Sequence, residues 1–95
     1  MVSFYLHIIF SDEVYEHMCF DDNKHHRFAT IPGMEDRTFS VYSAGKTFSA
    51  TGWRIGYCIG AENLIAPLVK AQQLTAFCNA IPLELGVAMV SVLKS

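Results

Sequence analysis

Hydrophobic residues arrive along this chain in three short blocks and then two longer periodic ones. FYLHIIF (4–10) is a continuous apolar run rich in aromatic and β-branched residues, the pattern of a strand covered on both faces. SDEVYEH (11–17) ends it abruptly with charge. CFDDNKHHR (19–27) is polar and turn-rich, and IPGMED (31–36) is a Pro-Gly turn feeding a short connection. TFSVYS (38–43) predicts a second strand, ending where a loop of small residues begins. WRIGYCIG (53–60) predicts a third, with glycines that weaken it or let another backbone approach closely. From Glu62 to about Phe77 the spacing of Leu64, Leu68, Ala71 and Leu74 puts them near one face of a helix, with Glu62 at its positive end. Pro67 sits inside that pattern and either starts the helix proper or kinks it. Pro82 then opens LELGVAMVSVL (83–93), apolar on nearly every side, as a helix buried in a larger body is.

The order strand, long connection, strand, loop, strand, helix, helix implies an α/β fold with a partial three-stranded sheet and two C-terminal helices. Open α/β sheets bind ligands outside the carboxyl ends of their strands. The chemistry is therefore expected at Ser11–Tyr15 and at Ser43–Arg54. Composition sharpens the picture: 52% of the 95 residues are hydrophobic and 17% charged, a core-like balance for so short a chain. It predicts apolar faces that another part of a larger protein covers, or failing that a small domain that dimerises. A net charge of −2 without any block of Lys or Arg gives no footprint for nucleic acid. MVSFYLHIIF lacks the basic start and cleavage site of a signal peptide, and no apolar run reaches the roughly 18 residues of a membrane span. Cys19, Cys58 and Cys78, odd in number and widely spaced, read as free thiols in a reducing compartment.

SAGKTFSATGWRIGY (43–57) carries the candidate chemistry, and the question is what Lys46 holds. A phosphate loop requires G-x-x-x-x-G-K-[ST]. Gly45, Lys46 and Thr47 supply its end, but the first glycine is replaced by Ser40, inside a strand pattern, and no long helix follows. The aldehyde cofactor pyridoxal phosphate makes different demands: a lysine amine, a carboxylate for the pyridine nitrogen, a donor for the phenolic oxygen, and hydroxyls and a guanidinium for the phosphate. Each has a candidate. Lys46 is the amine, and Asp12 and Tyr15, in D-x-x-Y spacing after the first strand, are the carboxylate and the phenol. Ser43 and Arg54, three residues before and eight after the lysine, are the phosphate ligands.

SDEVYEH, IPGM and SAGKTFSATGWRIGY together resemble the middle of a class I, fold type I, pyridoxal-phosphate-dependent aminotransferase, most closely the kynurenine aminotransferase and cysteine-conjugate β-lyase group. The likeness covers roughly residues 10 to 90. It implies that Asp12 pairs with the pyridine nitrogen, Tyr15 hydrogen-bonds the phenolic oxygen, and Lys46 is both Schiff-base partner and proton shuttle. It also implies that Ser43 and Arg54 bind the phosphate. The resemblance further implies amino acid and 2-oxo acid substrates, a homodimer, and a cytoplasmic location with mitochondria as the alternative. Residues 1–95 then correspond to a fragment of the large cofactor-binding domain. The stacking aromatic, the Gly-rich helix start at the phosphate and the arginine that grips the substrate carboxylate have no counterpart here. The chain alone is accordingly expected to be inactive and prone to associate. The alternative is a non-catalytic remnant that acts as an interaction module.

Other polar residues read more plainly. His17, Cys19, His25 and His26 match no zinc spacing and suit a solvated turn, so no metal is expected. Glu13 and Glu16 read as exposed charges. Trp53 and Tyr57 read as packing residues, with Trp53 placed to help orient Arg54.

Overall fold

A computed structural model describes residues 7–94 of the chain. The first three residues of the apolar run expected as a strand, 4–6, lie outside that range. Strand β1 spans Ile9–Asp12, β2 Thr38–Ser43 and β3 Gly56–Gly60, in the sheet order β1-β2-β3. β1 and β2 are parallel, with Ile9 opposite Thr38 and Asp12 opposite Val41. β3 returns antiparallel to β2, pairing Phe39 with Gly60 and Ser43 with Gly56. A short helix α1 covers Ala44–Thr47, a 3₁₀ turn Thr51–Trp53 precedes β3, and helices α2 (Glu62–Thr75) and α3 (Ile81–Lys94) follow.

The register divides the side chains between two faces, because residues alternate along each strand. Phe10, Asp12, Phe39, Val41 and Ser43 share one face, where the Phe10 and Phe39 rings meet edge-on with centroids 4.9 Å apart. α2 packs there, with Leu68 and Val69 lining a cleft against Phe10, Phe39 and Val41. Ile9, Ser11, Thr38, Ser40 and Tyr42 share the other face, which the connection from β1 to β2 covers. Tyr42 stacks on Tyr57 across β2 and β3 at 5.0 Å, and the Arg27 guanidinium lies 5.9 Å over the Tyr42 ring. Thr38, Ser40 and Tyr42 are buried, and the Thr38 hydroxyl has no hydrogen-bond partner among the described residues.

Three expectations are adjusted. The third strand begins at Gly56 rather than at residue 53, because Thr51–Trp53 form a 3₁₀ turn and Arg54 takes a left-handed φ of 58°. Pro67 lies inside α2 rather than at its start, so the helix loses the N–H that would bond to the Asn63 carbonyl. In the apolar stripe of α2, Leu64 and Leu68 are half-buried while Leu74 is 89% exposed. Pro82 is accommodated in the first turn of α3, where an N–H would have no partner within the helix.

Much of the apolar surface is uncovered, as the composition predicts. Phe10, Ile59, Leu85, Met89, Val92 and Leu93 are all exposed. The accessible surface is 7826 Å², against roughly 5,500 Å² for a compact chain of this mass. The radius of gyration is 15.7 Å, against about 12 Å for a compact chain of this length. No helix among the described residues is long and apolar enough to cross a membrane.

Glycine at position 45 is a steric requirement. A Cβ there would stand 2.9 Å from the Thr51 Cα and 3.2 Å from the Ala50 carbonyl oxygen, both backbone atoms that cannot swing away. Gly52 has open space around it. Gly45→Ala is therefore expected to destabilise the fold by about 1–3 kcal/mol, with Gly52→Ala within about 0.5 kcal/mol of the parent. Urea unfolding of the two variants side by side checks the difference, and equal midpoints would refute it.

Candidate cofactor site

Every candidate residue lies at one edge of the sheet, and the register explains why. β1 and β2 are parallel, so their carboxyl ends, Asp12 and Ser43, point the same way. β3 is antiparallel, so its start, rather than its end, reaches that edge, and Arg54 stands two residues before it. The backbone ladder continues one residue past β1, where the Glu13 N–H donates to the Val41 carbonyl at 2.9 Å.

The chain then turns back on itself. The Glu16 N–H donates to the Glu13 carbonyl at 3.0 Å and the Met18 N–H to the Tyr15 carbonyl at 2.8 Å, which leaves the Tyr15 ring exposed at the rim. Asp12 is exposed, with its Oδ1 accepting the Val14 N–H at 3.2 Å. Lys46, the third residue of α1, is exposed, and its Nζ stands 5.7 Å from the centroid of the Tyr15 ring. The structure thus brings Tyr15 and Lys46 into contact although they come from different connections.

The loop from Ser43 to Arg54 is held by its own hydrogen bonds. The Ala50 N–H donates to the Gly45 carbonyl at 2.9 Å, and the Thr51 hydroxyl donates to the same oxygen at 3.3 Å. The Thr47 hydroxyl donates to the Ser43 carbonyl at 3.3 Å. The Ser43 hydroxyl makes no capping bond to α1. Ser49 (φ 54°) and Arg54 (φ 58°) are both left-handed, a conformation costing a non-glycine residue roughly 1–2 kcal/mol. Such strain persists only where surrounding contacts fix the backbone. Arg54 uses one guanidinium nitrogen, donating to the Thr51 carbonyl at 3.3 Å, and is otherwise exposed. Trp53 beside it lies against α3, where a Cβ on Gly86 would be 2.9 Å from the indole ring.

Three residues depart from the sequence reading. Glu13 is only 4% exposed, not a surface charge, and His25 is its partner rather than a free turn residue. The Glu13 carboxylate accepts hydrogen bonds from the Ser11 hydroxyl at 2.8 Å, from His25 Nε2, and from the Phe28 N–H at 3.4 Å. Burial alone would push its pKa up; the bonds from Ser11, His25 and Phe28, with the nearby His25 charge, outweigh burial and hold it below the ordinary carboxylate value. Glu16 is likewise engaged, accepting two hydrogen bonds from Arg27 at 2.6 and 3.1 Å. The alternation of β1 carried past Asp12 was the available signal, since it sets Glu13 on the inward face with Ser11. No cluster of three metal-ligating side chains occurs among the described residues.

The clefts of about 510 Å³ and 370 Å³ lie beneath the β1–β2 connection, and none of the five candidate residues lines either. The candidate edge is instead an open shelf carrying an amine, a carboxylate, a phenol, a hydroxyl and a guanidinium. In chemical type that donor set fits pyridoxal phosphate: a hydroxyl and a guanidinium suited to a phosphate, a carboxylate, and a phenol whose ring lies beside the amine.

Comparison with known proteins places the chain in a family. Residues 2–92 match the sequence profile described as aminotransferase class I and II. The chain is 51% identical over 81 residues to kynurenine–oxoglutarate transaminase of Dictyostelium discoideum, covering 85% of this chain and 19% of that protein. It is 50% identical over 78 residues to kynurenine–oxoglutarate transaminase 3 of Homo sapiens, covering 82% of this chain and 17% of that one. The chain thus spans less than a fifth of the length of these relatives. Among solved structures, N-succinyldiaminopimelate aminotransferase from Mycobacterium tuberculosis superposes with a TM-score of 0.84 at 39% identity, over 86% of this chain and 21% of that one. An aromatic aminotransferase from Pyrococcus horikoshii gives 0.81 at 39% identity, over 86% and 22%. With the profile spanning nearly its whole length, this chain belongs to the aminotransferase class I and II family.

Proposed function

We propose that this chain carries the cofactor-attachment segment of a pyridoxal-phosphate-dependent transaminase, one that moves an amino group between an amino acid and a 2-oxo acid in the manner of the kynurenine–oxoglutarate transaminases it resembles. The observation that supports this reading is the convergence of Asp12, Ser43, Lys46 and Arg54 at one sheet edge, with Lys46 Nζ beside Tyr15.

When bound, pyridoxal phosphate supplies an electron sink for the substrate carbanion. The chain's own residues divide the remaining work. The Lys46 amine would hold the cofactor through its aldehyde, and as a free amine Nζ could accept and return a proton. The Asp12 carboxylate would hold the pyridine nitrogen and keep it protonated. The Tyr15 hydroxyl would donate to the phenolic oxygen. The Ser43 hydroxyl and the Arg54 guanidinium would hold the phosphate, Arg54 through paired N–H donors that a lysine cannot reproduce. The left-handed Arg54 lies ahead of the β3 ladder, which begins at Gly56.

A second reading, a non-catalytic interaction module, draws on the exposed apolar residues of α3. The two differ in whether Lys46 reacts. On the first, mixing the chain with pyridoxal phosphate produces a visible absorption band that Lys46→Ala abolishes and Lys70→Ala leaves intact. Retention of the band in the Lys46 variant would sink the assignment.

The phosphate ligands give a separate expectation. Arg54→Lys should weaken pyridoxal phosphate binding about tenfold, roughly 1.4 kcal/mol, and Ser43→Ala by less. Equilibrium dialysis measures both, and unchanged dissociation constants would remove Ser43 and Arg54 from the site.

A further inference from the structure

Glu13 lies between two candidate cofactor ligands yet points away from them, and its surroundings are those of a built polar site. Its side chain is buried on the sheet face opposite Asp12, beneath the connection that runs from β1 to β2. Three donors meet there from separate stretches: the Ser11 hydroxyl within β1, His25 twelve residues on, and the Phe28 N–H at the start of a 3₁₀ turn. Through its backbone the same residue donates to Val41 of β2 and accepts from the Glu16 N–H. Glu13 therefore joins β1, β2, the Tyr15 turn and the far end of the connection.

A buried carboxylate without partners is costly, whereas one with three donors is satisfied and rigidly placed. Little else fixes the Tyr15 turn, which has exposed side chains at Tyr15, His17 and Met18 and leans on the rest of the connection through the Glu16–Arg27 pair. We infer that Glu13, clamped by His25, is the positioning residue of the site: it sets the direction of Asp12 and holds the turn that presents Tyr15 to Lys46. This rests on the proposed cofactor reading for its consequence but not for its geometry. The clamp governs the half of the site that faces the cofactor ring and leaves the phosphate half, Ser43 and Arg54, untouched. That half is held independently by the bonds to the Gly45 carbonyl.

The division makes the inference testable on the chain itself. Hydrogen exchange, read without any ligand, should speed up at least tenfold at the Glu16, Met18 and Phe28 amides in Glu13→Gln and in His25→Ala. The Ala50 amide, bonded to Gly45, should exchange as in the parent. His25→Gln, which keeps a side-chain donor, should restore most of the lost protection. The second readout is binding: Glu13→Gln should weaken pyridoxal phosphate severalfold while inorganic phosphate binds as before. Unchanged exchange at Glu16 and Met18, or equal loosening at Ala50, would overturn the clamp. Equal losses for pyridoxal phosphate and inorganic phosphate would overturn its restriction to the ring half. If the parent chain bound no pyridoxal phosphate at all, the cofactor reading would fall, and the exchange pattern would still decide whether Glu13 holds the Asp12–Tyr15 turn.

Discussion

The pairing of β2 with both neighbours is the constraint on which the site depends. Its parallel ladder with β1 carries Asp12 level with Val41, and its antiparallel ladder with β3 carries Gly56 level with Ser43. One central strand thereby brings three chain segments to a common edge: the end of β1, the loop carrying Lys46, and the approach to β3. A slip of one residue in either ladder would turn every side chain of that neighbour to the opposite face. Asp12 would then point beneath the connection and Glu13 toward the shelf, exchanging a solvated carboxylate for one with three donors. Close backbone approaches narrow the choice of register, since a Cβ on Gly56 would stand 2.8 Å from the Tyr42 carbonyl oxygen and one on Gly60 3.0 Å from the Phe39 Cβ.

The parts of the fold written in local patterns were legible. β2 follows from TFSVYS to the residue, and α2 starts at Glu62 as its apolar spacing and acidic first turn imply. The five candidate residues are gathered at the edge where strand-end reasoning put them, because that argument depends only on the order of the elements. What escaped depends on tertiary contacts. The alternation of β1 sets Glu13 on the inward face with Ser11, but the donors that compensate its burial, His25 and Phe28, lie beyond a polar stretch with no periodicity. The left-handed Arg54 is equally hidden: arginine has no preference for that conformation, and it is held by the preceding 3₁₀ turn rather than by its own chemistry. α1 reads as loop because Ala44–Thr47 make a single turn, too short for any hydrophobic period to register.

Apolar exposure connects the fold to the comparisons. α3 leaves Ile81, Leu85, Met89 and Leu93 in solvent, a face that water alone does not favour. The match takes up 19% of the Dictyostelium relative, and the superposed Mycobacterium aminotransferase devotes 21% of its length to it. The polar edge and the apolar faces are thus separate features. The edge is assembled from strand ladders and loop hydrogen bonds inside residues 9–60, whereas the apolar faces of α2 and α3 remain largely exposed.

The account stands or falls on Lys46. The sequence holds three other lysines, Lys24, Lys70 and Lys94, and a reactive aldehyde would label all four if nothing but a free amine were required. Borohydride reduction in the presence of substoichiometric pyridoxal phosphate, followed by digestion and peptide mass mapping, reads which one is chosen. The shelf of Asp12, Tyr15, Ser43 and Arg54 predicts a pyridoxyl group concentrated on Lys46. A label spread evenly over the lysines, or centred on any other, would contradict it.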